Sequence, residues 1–225
     1  PFNTSEKNLL ELQKNVRNSL WLNRGKQHFT LAYTYQNSEA QRLFWFGTQS
    51  QKLQAHELQA SHRIKSFWLL TLTGSRSESE NQSKNYDNRN FYLKNHLFSP
   101  EISYEITANT RCNFRYLWQQ KENLIGDHET LSQQMLKGSF LASKNQKYTF
   151  SGSISYIKNR YSGNAFSAVG YQILEGLQPG ENQTWELLIQ RQITKFLDLN
   201  ISYQGRKSPG IKSIHTGSVQ LKAFF

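Results

Sequence analysis

The sequence lacks the features that mark several familiar classes of protein. Cys112 is the single cysteine, which excludes an internal disulfide framework. No run approaches the roughly 18 to 20 apolar residues that a membrane-spanning helix needs. The 27 basic residues outnumber the 16 acidic ones, but they form no basic block. This scatter favours a surface that meets water or anionic lipid over a face that reads nucleic acid.

Motifs for chemistry are equally scarce. We find no glycine-rich phosphate loop, no nucleophile elbow and no His/Cys spacing typical of a metal site. The sequence therefore predicts a protein without catalytic residues, cofactor or metal, that is, not an enzyme. One hydrolytic alternative stays open at Asp127-His128-Glu129, where three ionisable residues are adjacent in a predicted loop.

Aromatic residues are abundant for such a polar chain. They make up 13% of a sequence that is 36% hydrophobic and has a mean hydropathy of −0.71. A transmembrane β-barrel explains both values, because its strands need an apolar residue only at every second position and its interior is polar. A soluble β-domain that binds glycan or nucleic acid is the alternative, since it uses the same alternation with the apolar side inward.

The alternation is clearest between Lys147 and Tyr156 and again between Leu197 and Gln204. The apolar set predicts a membrane-facing surface of Tyr148, Phe150, Ile154, Tyr156, Leu199, Ile201 and Tyr203. The polar sets of these and similar strands predict a lumen lined by Arg111, Arg115, Lys147, Ser153, Asp198 and Arg206. Because bases outnumber acids in that set, we expect a water-filled lumen to prefer anions.

The same pattern predicts the domain organisation. Residues 1–15 form a short helical or irregular lead-in, and residues 16–225 form an antiparallel barrel of about 10 or 12 strands. Polar stretches predict a turn at Asn37–Ala40 and a solvated loop at Ser77–Asn90, and Asn159–Gln183 is the longest connection, folded over the barrel mouth. Short turns alternate with longer loops, which puts the C-terminal strand's end on the periplasmic side.

Pro100 interrupts one predicted strand. Proline has no backbone N–H to give to a strand ladder, so it predicts a sheet edge, a bulge or another irregularity.

The final stretch, Ser213–Phe225, alternates down to an aromatic terminus. It resembles the closing strand of bacterial outer-membrane barrels. That resemblance implies that Val219, Leu221, Ala223 and Phe225 act as a signal for the barrel-assembly machinery.

Three segments carry a wider resemblance: Gly176-Leu177-Gln178-Pro179-Gly180, Ile201–Lys207 and Ser213–Gly217 with Val219–Phe225. They resemble the carboxy-terminal part of large Bacteroidota outer-membrane proteins. The resemblance implies a transport conduit or a structural subunit of an envelope complex in the outer membrane. Its expected partners are membrane lipid, lipopolysaccharide and other envelope proteins, and not nucleic acid. It also implies further sequence before this region, and hence a larger barrel.

Overall fold

The computed structural model describes residues 11–24, 28–44, 47–144 and 147–224. Within these ranges eleven antiparallel strands form one sheet, and each strand pairs with the next along the chain. The strands are β1 Glu11–Leu22, β2 Phe29–Phe44, β3 Gly47–Ile64, β4 Trp68–Ser83, β5 Phe91–Thr107, β6 Thr110–Asn123, β7 Thr130–Lys144, β8 Tyr148–Ser162, β9 Gly180–Thr194, β10 Leu197–Lys207 and β11 Ile214–Ala223.

Two short helices interrupt this succession of hairpins. A single 3-10 turn covers Asp87–Arg89, and the helix α1 covers Ala168–Ile173. No helix in the described ranges has the length and apolar character to cross a membrane.

The hairpins give the sheet two unlike ends. Residues 65–67, 108–109 and 195–196 make tight turns at what we call the turn end. Residues 84–90, 124–129, 163–179 and 208–213 make longer connections at the opposite, loop end. The last strand, β11, runs towards the turn end, as predicted. In outer-membrane barrels the short turns are periplasmic and the long loops external.

Several predicted boundaries are wrong. Residues 11–15 belong to β1, so the predicted lead-in is shorter, and residues 1–10 lie outside the described ranges. The turn predicted at Asn37–Ala40 is strand, because β2 pairs through it with β1 and β3. Residues 77–83 belong to β4, which shortens the predicted loop to residues 84–90. The described strands number eleven, which lies between the two even predictions.

Pro100 lies inside β5 and produces an irregularity without a sheet edge. It is paired with Leu72 of β4, but the β5–β6 pairing skips from Phe98 to Glu101 while keeping its register. The Ser99 hydroxyl donates to the Tyr116 carbonyl at 3.1 Å. This side chain supplies a donor in the skipped stretch, where proline has none, and the ladder continues beyond it.

The sheet curves strongly. Residues of strands as far apart as β4 and β10 line one cavity of about 840 Å³, which identifies their shared side as the concave face. Side chains alternate between faces along every strand, so the intervening residues lie on the convex face. The small apolar core lies on the concave face at the loop end, beneath α1.

Candidate functional site

The convex face is apolar and open. Ile154, which is 64% exposed, is typical of the large residues there that contact no protein core. The predicted membrane-facing residues all lie on this face: Tyr148, Phe150, Tyr156 and Tyr203 are exposed like Ile154, and Leu199 and Ile201 are half-buried. Such extensive apolar exposure is costly in water and normal in lipid.

The concave face is polar. Three successive cross-strand rows line its cavity, and the middle row from β5 to β10 consists of hydroxyl and amide groups and one carboxylate. That row runs through Ser103, Asn113, Ser139, Ser153, Glu186 and Gln204. The Asn113 amide donates to the Ser139 hydroxyl at 3.2 Å, so neighbouring strands are also joined by side chains. A polar face of this kind is suited to line a water-filled lumen.

Charged groups occupy the rows on either side. Arg115 forms an ion pair with Glu101 across the β5–β6 hairpin. Towards the turn end, Arg63 makes two hydrogen bonds to Glu105, at 2.7 and 3.2 Å. Lys137 lies opposite Arg115 in the β6–β7 register and has no carboxylate within salt-bridge distance among the described residues. The cavity is therefore lined by three cations (Arg111, Arg115 and Lys137) and two carboxylates (Glu101 and Glu186).

The remaining predicted lumen residues lie outside the cavity. Asp198 lies opposite Lys222 in the β10–β11 register, and its buried Oδ1 has no hydrogen-bond partner in the described ranges. Lys147 lies in the turn before β8, where its carbonyl accepts from the Gln192 N–H at 2.8 Å. Arg206 donates to the carbonyl of Gly176 at 3.1 Å, so it contacts the longest connection. The predicted set is thus spread along the concave side, and Arg111, Arg115 and Ser153 are the members that share the cavity.

The longest connection, residues 163–179, covers the concave face at the loop end, and we call it the mouth segment. Ile173 and Leu174 are fully buried against Leu93 of β5 and Leu131 of β7. Ser167 caps the N-terminus of α1 by accepting a hydrogen bond from the Gly170 N–H at 2.8 Å. A side chain at Gly170 would collide with the Asn164 carbonyl, which explains the glycine there.

Polar anchors hold the mouth segment as well. Lys121, 9% exposed on β6, donates to the Ile173 carbonyl at 3.1 Å and to the Glu175 carboxylate at 2.5 Å. Asn182, fully buried at the start of β9, binds both the N–H and the carbonyl of Gln178. Asn159 donates to the same carbonyl at 3.2 Å. These three side chains attach the segment to β6, β8 and β9, and Arg206 attaches it to β10.

Asp127, His128 and Glu129 do not form a joint site. Asp127 and His128 are exposed, and His128 adopts a positive φ of 52° that turns the chain. Glu129 is 3% exposed and accepts a hydrogen bond from Asn123 at 2.8 Å. The carboxylate thus stabilises the β6–β7 connection.

Sequence reasoning missed the residues beneath the mouth segment. Leu93, Leu131 and Tyr161 occupy positions that alternation assigns to the polar concave face. Apolar residues at polar positions are the available signal, and they cluster at the loop end of β5, β7 and β8. They indicate where the concave face is covered by protein and not by water.

Three of the four predicted assembly-signal residues lie on the convex face of β11. Val219 and Leu221 are 71% and 60% exposed, and Ala223 is also exposed. Phe225 lies outside the described residues. Recognition of this strand by assembly machinery stays a prediction.

An antiparallel meander with an apolar convex face and a polar concave face is the fold of outer-membrane β-barrels, and the protein is located in the outer membrane. Solved structures share this fold. The siderophore receptor PirA from Acinetobacter baumannii matches 94% of this chain with a TM-score of 0.60 and 10% identity. This chain spans 38% of that receptor.

A second solved structure is similar over its whole length. The loop-deleted outer-membrane protein OmpT of Vibrio cholerae matches 95% of this chain, and 99% of that protein is covered, with a TM-score of 0.52 and 7% identity. At such identities the likeness shows the fold alone. No protein-family model matches the sequence, and no curated protein matches it.

Proposed function

We propose that the protein is a non-enzymatic transport conduit for polar solutes across the outer membrane. The observation that carries this proposal is the polar cavity on the concave face. The folded mouth segment covers the loop end of the same face. The mouth segment narrows the external end of the path.

The charges of the cavity support a preference for anions. Arg115 and Glu101 neutralise each other. The other charged residues of the lining are the cations Arg111 and Lys137 and the carboxylate Glu186. The excess of one positive charge predicts a modest selectivity, because fixed charge in a narrow low-dielectric passage concentrates ions of opposite sign.

Conductance in planar bilayers tests the proposal. The protein should conduct weakly with a preference for anions, and replacing residues 164–178 by a short Gly/Ser linker should raise conductance severalfold. Lys137→Glu should shift the preference towards cations, while the matched change Lys158→Glu on the convex face should leave it unaltered. If neither the unaltered protein nor the variant without the mouth segment conducts, the proposal of a conduit is wrong. The protein would then be better explained as a structural subunit of an envelope complex.

The role of Glu129 favours a conduit over a hydrolase. Its buried carboxylate is bound to Asn123 and so supports a connection. Substituting His128 by alanine should therefore leave conductance and stability close to those of the unaltered protein. If the unaltered protein hydrolyses lipid or peptide and the His128→Ala variant does not, the hydrolase alternative would be supported instead.

A further inference from the structure

A second groove lies outside the barrel wall, on the convex face at the loop end of β5–β8. It has a volume of about 620 Å³. Two cross-strand rows of outward-facing residues form it: Lys94, Glu122, Thr130 and Ser162 in one row, and His96, Gln120, Ser132 and Arg160 in the other.

The groove lies directly above the lipid-facing surface. One row nearer the turn end the convex residues include Phe98 and Trp118, and the following row includes Tyr116, Leu136 and Tyr156. Aromatic rings gather at the level where acyl chains give way to headgroups. The polar groove above those rings is therefore at headgroup height on the external leaflet.

The outward-facing cations of the groove, Lys94 and Arg160, form no ion pair with the described residues. Arg160 is exposed and has no hydrogen bond or ion pair with any residue in the described ranges. Lys94 lies between Glu78 of β4 and Glu122 of β6 in the sheet register. The Glu78 carboxylate already accepts from Tyr92 at 2.5 Å and from Arg76 at 3.2 Å. Glu122 is the single carboxylate in the lining.

Among the described residues, the neighbouring strands β3 and β4 have no such unpaired cations at their loop end. On β3 and β4 the outward-facing cations are matched by carboxylates, Arg76 with Glu78 and Lys52 with Glu80. Excess cation is thus concentrated on β5–β8, together with three hydroxyl groups that can donate to an anionic oxygen.

We propose that this groove binds the phosphorylated headgroup of an outer-leaflet glycolipid. The Arg160 guanidinium binds the phosphate through two parallel N–H donors, and Lys94 adds a second positive charge. Thr130, Ser132 and Ser162 bind the remaining phosphate or sugar oxygens. The acyl chains of the same lipid run down over Trp118, Tyr116 and Leu136, which a soluble phosphate compound would leave uncovered.

Native mass spectrometry of the full-length protein in detergent tests the proposal. The probes are bisphosphorylated lipid A, its dephosphorylated form and inorganic phosphate. The variant Lys94→Gln/Arg160→Gln removes the two cations of the groove. The matched control Lys144→Gln/Arg191→Gln removes two convex cations at the turn end.

The unaltered protein and the control should retain phosphorylated lipid A, and the groove variant should bind it at least about tenfold more weakly, since each lost charge-assisted contact is worth about a factor of ten or more. Dephosphorylated lipid A and inorganic phosphate should bind weakly to all three proteins. Arg160→Lys, which keeps the charge and removes the paired donors, should show an intermediate loss.

Equal losses in both double variants would overturn the site, because they would indicate attraction by net charge alone. Equal retention of phosphorylated and dephosphorylated lipid would overturn the phosphate contact. Tight binding of inorganic phosphate would overturn the lipid. The shift in electrophoretic mobility on heating confirms that each variant is folded before it is compared.

Discussion

The middle of the sheet and its two edges are stabilised differently. Strands β5–β8 form the wall against which the mouth segment packs, and the fully buried side chains Asn123, Leu131, Ile173, Leu174 and Asn182 all lie in or beside this region. Every residue of β1 and of β11 is exposed. The middle combines a lipid-facing surface with a small protein core, whereas the edges have only a strand ladder on one side.

This difference shows where the fold depends on its surroundings. In hydrocarbon an unpaired backbone group costs several kcal/mol, so the outer edges of β1 and β11 must be paired there, either with each other or with further strands. The middle needs lipid on one face and already has protein on part of the other. Four substitutions can test this contrast, and they are given in order of decreasing expected effect.

Truncating the mouth segment's anchor should be the most costly change. Ile173→Ala removes a fully buried side chain from a packed cluster, and we expect a loss of about 2 to 5 kcal/mol of unfolding free energy in urea titrations of vesicle-bound protein. The edge control Val219→Ala should cost about 1 to 2 kcal/mol, because lipid fills the space and no cavity remains. Protease sensitivity of the mouth segment should rise in the first variant only. Equal costs would show that the cluster is not a packed core.

A charge placed on the lipid-facing side of strands β5–β8 should reduce the unfolding free energy by almost as much. Ile154→Arg places a cation on the convex face, and we expect a loss of about 2 to 4 kcal/mol if that position is near the bilayer midplane. Ser153→Arg, one residue away on the concave face, should be tolerated. Similar costs at both positions in vesicle refolding would contradict the assignment of the two faces.

Removing a buried anchor of the mouth segment should cost more unfolding free energy than breaking an exposed ion pair. Lys121→Met keeps the aliphatic stem and leaves the Ile173 carbonyl without its donor, which should cost about 1 to 3 kcal/mol. Lys158→Met breaks the exposed pair with Glu181 and should cost under about 1 kcal/mol. Thermal unfolding of both variants in the same detergent gives the comparison. A larger effect at Lys158 would mean that Lys121 does not hold the mouth segment.

The smallest effect concerns the edge itself. Ser202 and Ser218 share a hydrogen bond of 2.8 Å across β10 and β11, and Ser202→Ala should cost about 0.5 to 1 kcal/mol. Amide exchange in β11 should become faster, because this strand has little else to hold it. Ser139→Ala removes the bond to Asn113 in the middle of the sheet and should leave exchange in its neighbours unchanged. Faster exchange in both places would argue against a frayed edge.

Alternation of apolar and polar residues predicted the barrel fold, the order of the hairpins and the two faces. It succeeded from Tyr148 to Tyr156, where lipid on one side and polar groups on the other impose a strict period of two. It fails at residues 37–40 and 77–83, where polar residues predict a turn and a loop although both stretches are strand. These stretches lie at the loop end, where polar residues fill both faces and the period disappears.

The candidate site was predictable in its chemistry and not in its assembly. Arg111, Arg115 and Ser153 share the cavity because the pairing of β6 with β7 and β8 aligns them, and a single sequence does not contain that register. The helix α1 was also beyond prediction, since six residues are too few to show a helical period and its stability comes from packing on Leu93 and Leu131. The resemblance to Bacteroidota outer-membrane proteins stays a prediction.

The number of described strands has a geometric consequence. Successive strands run in opposite directions, so in a set of eleven the first and last point the same way. Joining β1 to β11 directly would create one parallel seam in an otherwise antiparallel wall. Two copies arranged around a common axis along the barrel would create two such seams. A wholly antiparallel barrel that includes these eleven strands therefore includes an odd number of others, and its circumference exceeds what this sheet alone can enclose.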